Sequence, residues 1–228
     1  MKPKLTFLLI AFLLVFITVI VSYIFLSKLW FNRQVTARNI TFYFDSPDKC
    51  LDMPDETIKT QIIQATDYFY KNCLYADSSI KHQIIFYKNP LIRQLVLFYA
   101  SKHNLGFCLT KFNRLILIYK VDFCTDGVPM HIPYSENNLY LYRRNKVIIH
   151  ELVHSSMVAK LGHKRYYRLP VWVREGYAEW ITHETDDYLC RFTKEQYPYQ
   201  GYYSQFYNAA QKYNGNVRHL INDLEKAQ

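Results

Sequence analysis

Glycine is scarce in this sequence, with six residues in a chain of 228. The chain also lacks an internal repeat, a low-complexity tract and a Gly/Ser-rich linker. These absences argue against a repeat protein and against a loose, linker-rich chain. They favour one well-packed domain over residues 39–228, because about 190 residues is an ordinary size for a single domain.

Paired cysteine motifs are also missing. None of the five cysteines forms a Cys-x-x-Cys pair, which argues against a cysteine-ligated metal. In an oxidising compartment disulfides form readily, and Cys108 with Cys124, which flank a strand-rich segment, is the first expected pair. Cys50 with Cys73 is the second, which leaves Cys190 unpaired. Alternatively, all five are small buried hydrophobic residues.

The charge is unbalanced toward basic residues, with 28 Lys and Arg against 19 Asp and Glu, a formal net charge of +9. Basic clusters with tyrosines occur at 143–146 and 163–168. No nucleic-acid-binding motif accompanies them, so we expect no nucleic-acid partner. We interpret the clusters as solvated faces, helped by attraction to anionic lipid head groups.

One long apolar run covers residues 5–26. As a helix it would extend about 33 Å, enough to cross the hydrocarbon core of a bilayer. A cleaved signal peptide is the alternative, but its apolar region is about 7–15 residues long, and no small-x-small cleavage site follows the run. The run therefore predicts an uncleaved anchor, with Trp30 and Phe31 at the far interface.

This anchor sets the expected organisation of the whole chain. Residues 1–4 form a short tail, 5–27 a transmembrane anchor, 28–38 a juxtamembrane linker and 39–228 the folded domain. Positive charges flank both sides of the anchor, so the positive-inside rule barely discriminates. Because the tail is so short, we expect a single-pass protein with a cytoplasmic N-terminus and an exoplasmic domain.

The most informative stretch is His150-Glu151-Leu152-Val153-His154, which reads His-Glu-x-x-His. Apolar residues recur at helical intervals around it, and Gly162 ends the predicted helix. Residues four apart lie on the same helical face, so both imidazoles can reach one metal ion. Glu151 lies about 100° round the helix, where its carboxylate can take a proton from a zinc-bound water.

A catalytic zinc site needs three protein ligands and one open position. A third histidine in the pattern His-x-x-Gly-x-x-His is excluded, because Met157 and Lys160 occupy the required positions. The later stretch 170–180, Pro-Val-Trp-Val-Arg-Glu-Gly-Tyr-Ala-Glu-Trp, offers Glu175 instead. The segment between His154 and Glu175 has room for a loop and the start of a second helix.

Together the two stretches resemble the gluzincin metallopeptidases, most closely the peptidase MA-like group. The resemblance implies that His150, His154 and Glu175 bind one Zn²⁺ ion and that Glu151 is the catalytic base. It also implies that Glu179, one turn beyond Glu175, accepts the other N–H of a ligand histidine.

Arg174 departs from the family pattern. Next to the expected ligand, it is interpreted as a surface charge on a helix. It could instead anchor a substrate carboxylate or pair with Glu179.

The order of predicted elements gives an α+β fold, with a mixed sheet packed beside the zinc helix and a helical C-terminal part. The family implies a cleft lined by an edge strand, which we expect within 113–121 or 138–142. The predicted strands are 40–44, 83–87, one or two within 106–121, and 140–142. The predicted helices are 54–74, 91–103, 145–161, one that includes Glu175, one that ends near 213–215, and 217–224.

A tyrosine near the start of the C-terminal helix is a further expectation from the resemblance. Tyr199 and Tyr203 are the candidates to donate a hydrogen bond to the oxyanion that forms during hydrolysis, with His183 as a third. The chain has 21 tyrosines, most of which serve packing or lie at the surface.

The sequence thus predicts a membrane-anchored, zinc-dependent peptidase acting on peptide or protein substrates. Two alternatives stay open: a membrane-tethered binding or assembly module with a structural zinc, and a zinc amidohydrolase on the same scaffold. The sequence selects neither a substrate side chain, nor endo or exo cleavage, nor an oligomeric state.

Overall fold

The computed structural model describes residues 33–44, 55–87, 106–109, 115–119, 127–131, 139–183 and 198–226, together with Ala11, Leu14, Val15 and Thr18. The strands are β1 (Arg33–Ala37), β2 (Ile40–Phe44), β3 (His82–Tyr87), β4 (Gly106–Leu109), β5 (Leu115–Tyr119), β6 (Gly127–His131) and β7 (Leu139–Arg143). The helices are α1 (Asp55–Asn72), α2 (Arg144–Leu161), α3 (His163–Arg168), α4 (Val171–His183), α5 (Pro198–Lys212) and α6 (Val217–Lys226).

The sheet is mixed, as the order of elements predicts. Its strands run β1-β2-β3-β5-β4. The inner strands β2, β3 and β5 are parallel, whereas β1 and β4 pair antiparallel at the two edges. β6 and β7 form a separate antiparallel pair. Because β4 covers its outer side, β5 is an interior strand, so the expectation of a cleft edge within 113–121 is wrong.

The inner strands carry the core of the sheet. On β2, Ile40, Phe42 and Phe44 are buried and alternate with half-buried residues. The Phe86 ring on β3 stacks at 5.3 Å from the Phe44 ring and 6.3 Å from the Phe42 ring. This period-two pattern packs one face of the sheet against the helices.

Helix α1 covers part of the core with one apolar face. Ile62, Ala65 and Phe69 are buried, at the spacing of residues that share a helical face. The next residue after Ile62, Ile63, is exposed. A step of one residue turns the helix by about 100°, which carries Ile63 away from the core.

Helix α2 runs through the centre of the molecule. Every residue from 146 to 158 is buried, so the helix is enclosed on all sides. It contacts the strands β4 and β5 and the helices α1 and α4. Gly162, with a φ of 78°, lies just past its end in a conformation that side-chain-bearing residues rarely adopt.

Helices α4 and α5 pack closely because of Gly176. A Cβ at that position would lie 2.6 Å from Phe206 Cβ and still closer to the carbonyl oxygen of Tyr202. Only glycine permits this approach, which brings the start of α5 toward the ligand-bearing face of α4.

The expected membrane anchor over 5–27 requires correction. Across the residues described, no helix combines the length and the apolar character that a bilayer crossing demands. This finding, made on the described residues, contradicts the expected anchor and the single-pass, exoplasmic localisation derived from it. Within 5–27 only four residues fall in the described part.

The expected juxtamembrane linker is also corrected in part. Residues 33–37, placed in the linker 28–38, form β1 and pair with β2. This segment has the backbone hydrogen bonds of a sheet edge and belongs to the domain.

The disulfide expectations lie mostly outside the described residues. Cys124, Cys50 and Cys190 fall there, so the pairing of Cys108 with Cys124 stays a prediction. Cys73 is a free, buried thiol, so its expected pairing with Cys50 is not observed. The predicted helix 91–103 likewise falls outside the described ranges.

Candidate metal centre

Two helices bring three metal-ligating side chains together. On α2, His150 and His154 are one turn apart, with their ring centroids 4.7 Å from each other. On α4, Glu175 faces both rings, and its side chain is 21 % exposed. Within the described part of the chain, these three residues form a group that could hold a metal ion.

The three ligand atoms form a nearly equilateral triangle. Nε2 of His150 lies 3.0 Å from Nε2 of His154. Oε2 of Glu175 lies 3.3 Å from Nε2 of His150 and 3.2 Å from Nε2 of His154. Ligands bound about 2.1 Å from a tetrahedral ion lie about 3.4 Å apart. The side chains are therefore almost at the separation that a tetrahedral metal site requires.

Each histidine is oriented through its other ring nitrogen. Nδ1 of His150 lies 3.0 Å from Oε1 of Glu179. Nδ1 of His154 lies 3.0 Å from the hydroxyl oxygen of Tyr166. When Nδ1–H donates to these oxygens, the Nε2 lone pairs point at each other and at Glu175. Such an arrangement is stable only with a cation between them, either a proton or a metal ion.

The pKa shifts of the ligand residues also indicate that a cation is favoured between them. Burial alone would lower the pKa of His150, but hydrogen bonds to Glu175 and Glu179 outweigh it and raise the pKa to about 10. Burial opposes ionisation of Glu175, yet His154 and His150 hold the pKa of that carboxyl well below its usual range. Both effects show that the centre stabilises positive charge between the carboxylates.

Glu179 is held from its other side by a lysine. Nζ of Lys146 lies 3.1 Å from Oε2 of Glu179, and the two side chains are 0 % and 1 % exposed. Burial alone would raise the pKa of Glu179, but Lys146 and His150 lower it to about 2. The carboxylate therefore stays ionised between Lys146 and His150.

Glu151 is buried next to the first ligand. Burial raises its pKa, and the Glu175 carboxylate adds to that effect, whereas His150 and His154 oppose it. A carboxylate with a raised pKa is a stronger base than a solvated one, which suits it to accept a proton.

The two candidate tyrosines occupy different positions. The Tyr199 ring is 5.7 Å from the His150 ring and perpendicular to it. Burial and the nearby carboxylates of Glu175 and Glu151 raise the pKa of Tyr199 well above its usual range. Tyr203, one turn further along α5, has its ring 6.0 Å from the Tyr207 ring. The third candidate, His183, is the last residue of α4.

Arg174 stacks on the aromatic rings of α3. Its guanidinium carbon lies 5.2 Å from the centre of the Tyr166 ring and 5.3 Å from that of Tyr167. Arg174 is therefore half-buried and not the surface charge that the sequence favours. Glu179 pairs with Lys146, and the alternative pairing of Arg174 with Glu179 is not observed. A role toward a substrate carboxylate stays a prediction.

Sequence reasoning missed Lys146 and Tyr166. Lys146 was assigned to a solvated basic face, yet it is fully buried. Its position four residues before His150 places it on the same helical face, which was the available signal. Tyr166 belongs to the second basic cluster, most of which is exposed, and nothing in the sequence separates it from the other tyrosines.

No protein family matches this chain, and no curated protein matches it. The function of the centre is therefore inferred from the geometry and chemistry of its residues.

Proposed function

We propose that this protein is a zinc-dependent peptidase of the gluzincin type, with His150, His154 and Glu175 as the ligands of one Zn²⁺ ion. The observation that carries the proposal is the triangle of ligand atoms with sides of 3.0, 3.2 and 3.3 Å. Two imidazole nitrogens and one carboxylate oxygen are the ligand set of thermolysin-type catalytic zinc.

The buried charges also favour a divalent ion. Glu151, Glu175 and Glu179 supply three negative charges when ionised, and Lys146 supplies one positive charge next to them. Burying unbalanced charge costs several kcal/mol per ion. When His150 gives up the proton that it carries in the metal-free protein, a bound divalent cation would balance the remaining two negative charges.

The chain's own residues can then carry the proton transfers. When bound, zinc supplies Lewis acidity that polarises the peptide carbonyl and lowers the pKa of a water molecule. Glu151 accepts the proton of the attacking water, helped by its raised pKa, and passes that proton to the leaving amine.

Tyr199 can stabilise the negative charge that develops on the carbonyl oxygen. Its ring packs against the His150 ring. A tyrosine phenol is protonated at neutral pH, and burial raises the pKa of this one further. A protonated phenol donates a hydrogen bond, which is what an oxyanion requires. Tyr203 is the alternative donor, and of the two only Tyr199 has a ring contact with a metal ligand among the described residues.

A purely structural zinc is less consistent with this geometry. Structural sites usually have four protein ligands, whereas the described residues bring three together. Glu175 is partly exposed, so the centre can be reached by solvent or substrate. A buried glutamate directly after the first histidine has no purpose in a structural site but serves as a base in a catalytic one.

Zinc-loaded protein incubated with a mixed peptide library tests the proposal. We expect new amino termini that appear with the wild type, disappear on treatment with a chelator and return when zinc is added back. Glu151→Gln protein, which retains the ligands, should show no cleavage. If zinc-loaded wild type cleaves no peptide, the peptidase proposal is wrong, and hydrolysis of non-peptide amides would indicate the amidohydrolase alternative.

A further inference from the structure

Two stripes of opposite charge face each other across the contact between α2 and α4. Lys146, His150 and His154 follow one another at four-residue intervals on α2, and Glu175 and Glu179 do so on α4. Glu179 contacts Lys146 and His150, and Glu175 contacts both histidines. Lys146 is the residue of these two rows that lies farthest from the three ligand atoms.

Stability alone does not account for a buried lysine at this position. A buried ion pair is often no more stabilising than hydrophobic residues of similar volume, because removing each charge from water costs several kcal/mol. The neighbours of Lys146 along α2, Val147 to Ile149, are buried apolar residues. Because apolar residues at both 146 and 179 would avoid this cost, the ammonium–carboxylate pair calls for an explanation other than stability.

The two oxygens of Glu179 have different partners. Oε2 lies 3.1 Å from Nζ of Lys146, and Oε1 lies 3.0 Å from Nδ1 of His150. With Oε2 fixed by the ammonium group, the carboxylate plane is set, and Oε1 is directed at the imidazole. Lys146 therefore sets the orientation of the His150 ring through the Glu179 carboxylate, which lies between them.

We propose that Lys146 is a positioning residue for the metal centre: by holding Glu179, it keeps Nε2 of His150 directed at the ion. This inference rests on the zinc-binding part of the proposed function but does not depend on hydrolysis. Residues that orient a ligand histidine contribute about 10- to 100-fold to metal affinity.

Zinc affinity in Lys146→Met protein tests the proposal, because positioning and simple charge effects have opposite signs. Loss of positioning weakens zinc binding, and we expect about a 10- to 100-fold loss. Removing a nearby cation without disturbing Glu179 would instead tighten zinc binding, by Coulomb attraction alone. Affinity measured by competition with a chromophoric chelator distinguishes the two, and unchanged or tighter binding would overturn the proposal.

A double-mutant cycle separates the positioning role from a merely structural one. If Lys146 acts through Glu179, Lys146→Met should cause no further loss of zinc affinity in a Glu179→Gln background. If the loss of zinc affinity in the double variant equals the sum of the losses in the two single variants, the proposal is contradicted. In Lys146→Met protein the buried negative charge of Glu179 has lost its cation, which could prevent folding. The double variant removes both buried charges and avoids this cost, so it can be compared directly with Glu179→Gln protein.

Cobalt substitution provides a second readout. The visible absorption of bound Co²⁺ depends on ligand geometry, so it should change in Lys146→Met protein and stay unchanged in Lys160→Met protein. Lys160 is the matched control, because it lies on the same helix but is exposed and pairs with Asp77. A wild type that binds no zinc would refute the proposed function itself, whereas a zinc-binding wild type with an unaffected Lys146→Met variant would refute only this inference.

Discussion

The hydroxyl oxygen of Tyr166 lies 3.0 Å from Nδ1 of His154, on the side of the imidazole away from the ligand triangle. Tyr166 is buried on α3, the six-residue helix between the two ligand-bearing helices. When His154 binds a metal through Nε2, its Nδ1–H donates to the phenol oxygen. The short connecting helix therefore fixes the orientation of the second ligand histidine.

Replacing Tyr166 with phenylalanine should weaken zinc binding about tenfold, because the ring stays packed while the acceptor for the Nδ1–H is lost. The measurement is zinc affinity by chelator competition. Tyr167→Phe is the matched control, since its ring is adjacent on α3 and largely exposed. Equal affinities for the two variants would show that the phenol does not orient His154.

Zinc affinity should rise with pH through the neutral range. In the metal-free protein the pKa of His150 is raised to about 10, so below that pH a proton occupies the ring that the ion needs. Each bound ion must displace this proton, which makes the apparent affinity increase up to about tenfold per pH unit. Proton release on zinc binding, followed in weak buffer, measures this directly.

The same shift affects the stability of the metal-free protein. Because the folded-state pKa of His150 is above its usual value of 6.5, its contribution is fully present below pH 6.5 and is lost as pH rises through about 10. The unfolding temperature of metal-free wild type should therefore fall across that window. A His150→Gln variant should lack this part of the decrease, and a parallel decrease in both proteins would contradict the assignment.

Gly176→Ala should destabilise the protein by about 1–3 kcal/mol or more, because the new Cβ would overlap Phe206 and the backbone of Tyr202 on α5. Separation of α5 from α4 should also displace Tyr199 from His150. Denaturant unfolding measures the free-energy change. Gly215→Ala controls for backbone strain, since Gly215 has a φ of 77° but no atom within 4 Å of an added Cβ. A smaller effect at Gly176 than at Gly215 would argue against the close packing.

Tyr199→Phe should lower kcat about 10²- to 10³-fold with a small change in KM, because only the donor to the developing oxyanion is removed. Tyr203→Phe, one turn along the same helix, should leave both constants near those of the wild type. Kinetics on a single cleaved peptide provide the test. If Tyr203→Phe causes the larger loss of kcat, then Tyr203 and not Tyr199 is the hydrogen-bond donor to the oxyanion.

The pairing of the two histidine ligands follows from local sequence, whereas Glu175 joins them only through the family resemblance. His150 and His154 are related by one turn of a single helix, and Glu175 and Glu179 by one turn of another. The mixed sheet and the helices also follow from periodicity, which reports which face of each element is buried. These features need no knowledge of how distant parts of the chain meet.

The groups that orient the ligands depend on tertiary contacts and could be inferred only partly. Glu179 was identified through the family resemblance, whereas Lys146 and Tyr166 were assigned to exposed basic clusters. A lysine is usually solvated, and only the packing of α2 against α4 shows that this one is buried. The expected membrane anchor, inferred from hydropathy alone, is not matched by a helix long and apolar enough to span a bilayer in the described part of the chain.

Zinc binding by Glu175→Ala protein, compared with wild type, tests the central claim most directly. Wild type should bind one zinc ion per chain, and Glu175→Ala should bind it at least about 100-fold more weakly, since one of three ligands is lost. Asp67→Asn, which changes an exposed carboxylate on α1, should match the wild type. A Glu175→Ala protein that binds zinc as tightly as wild type would contradict the account.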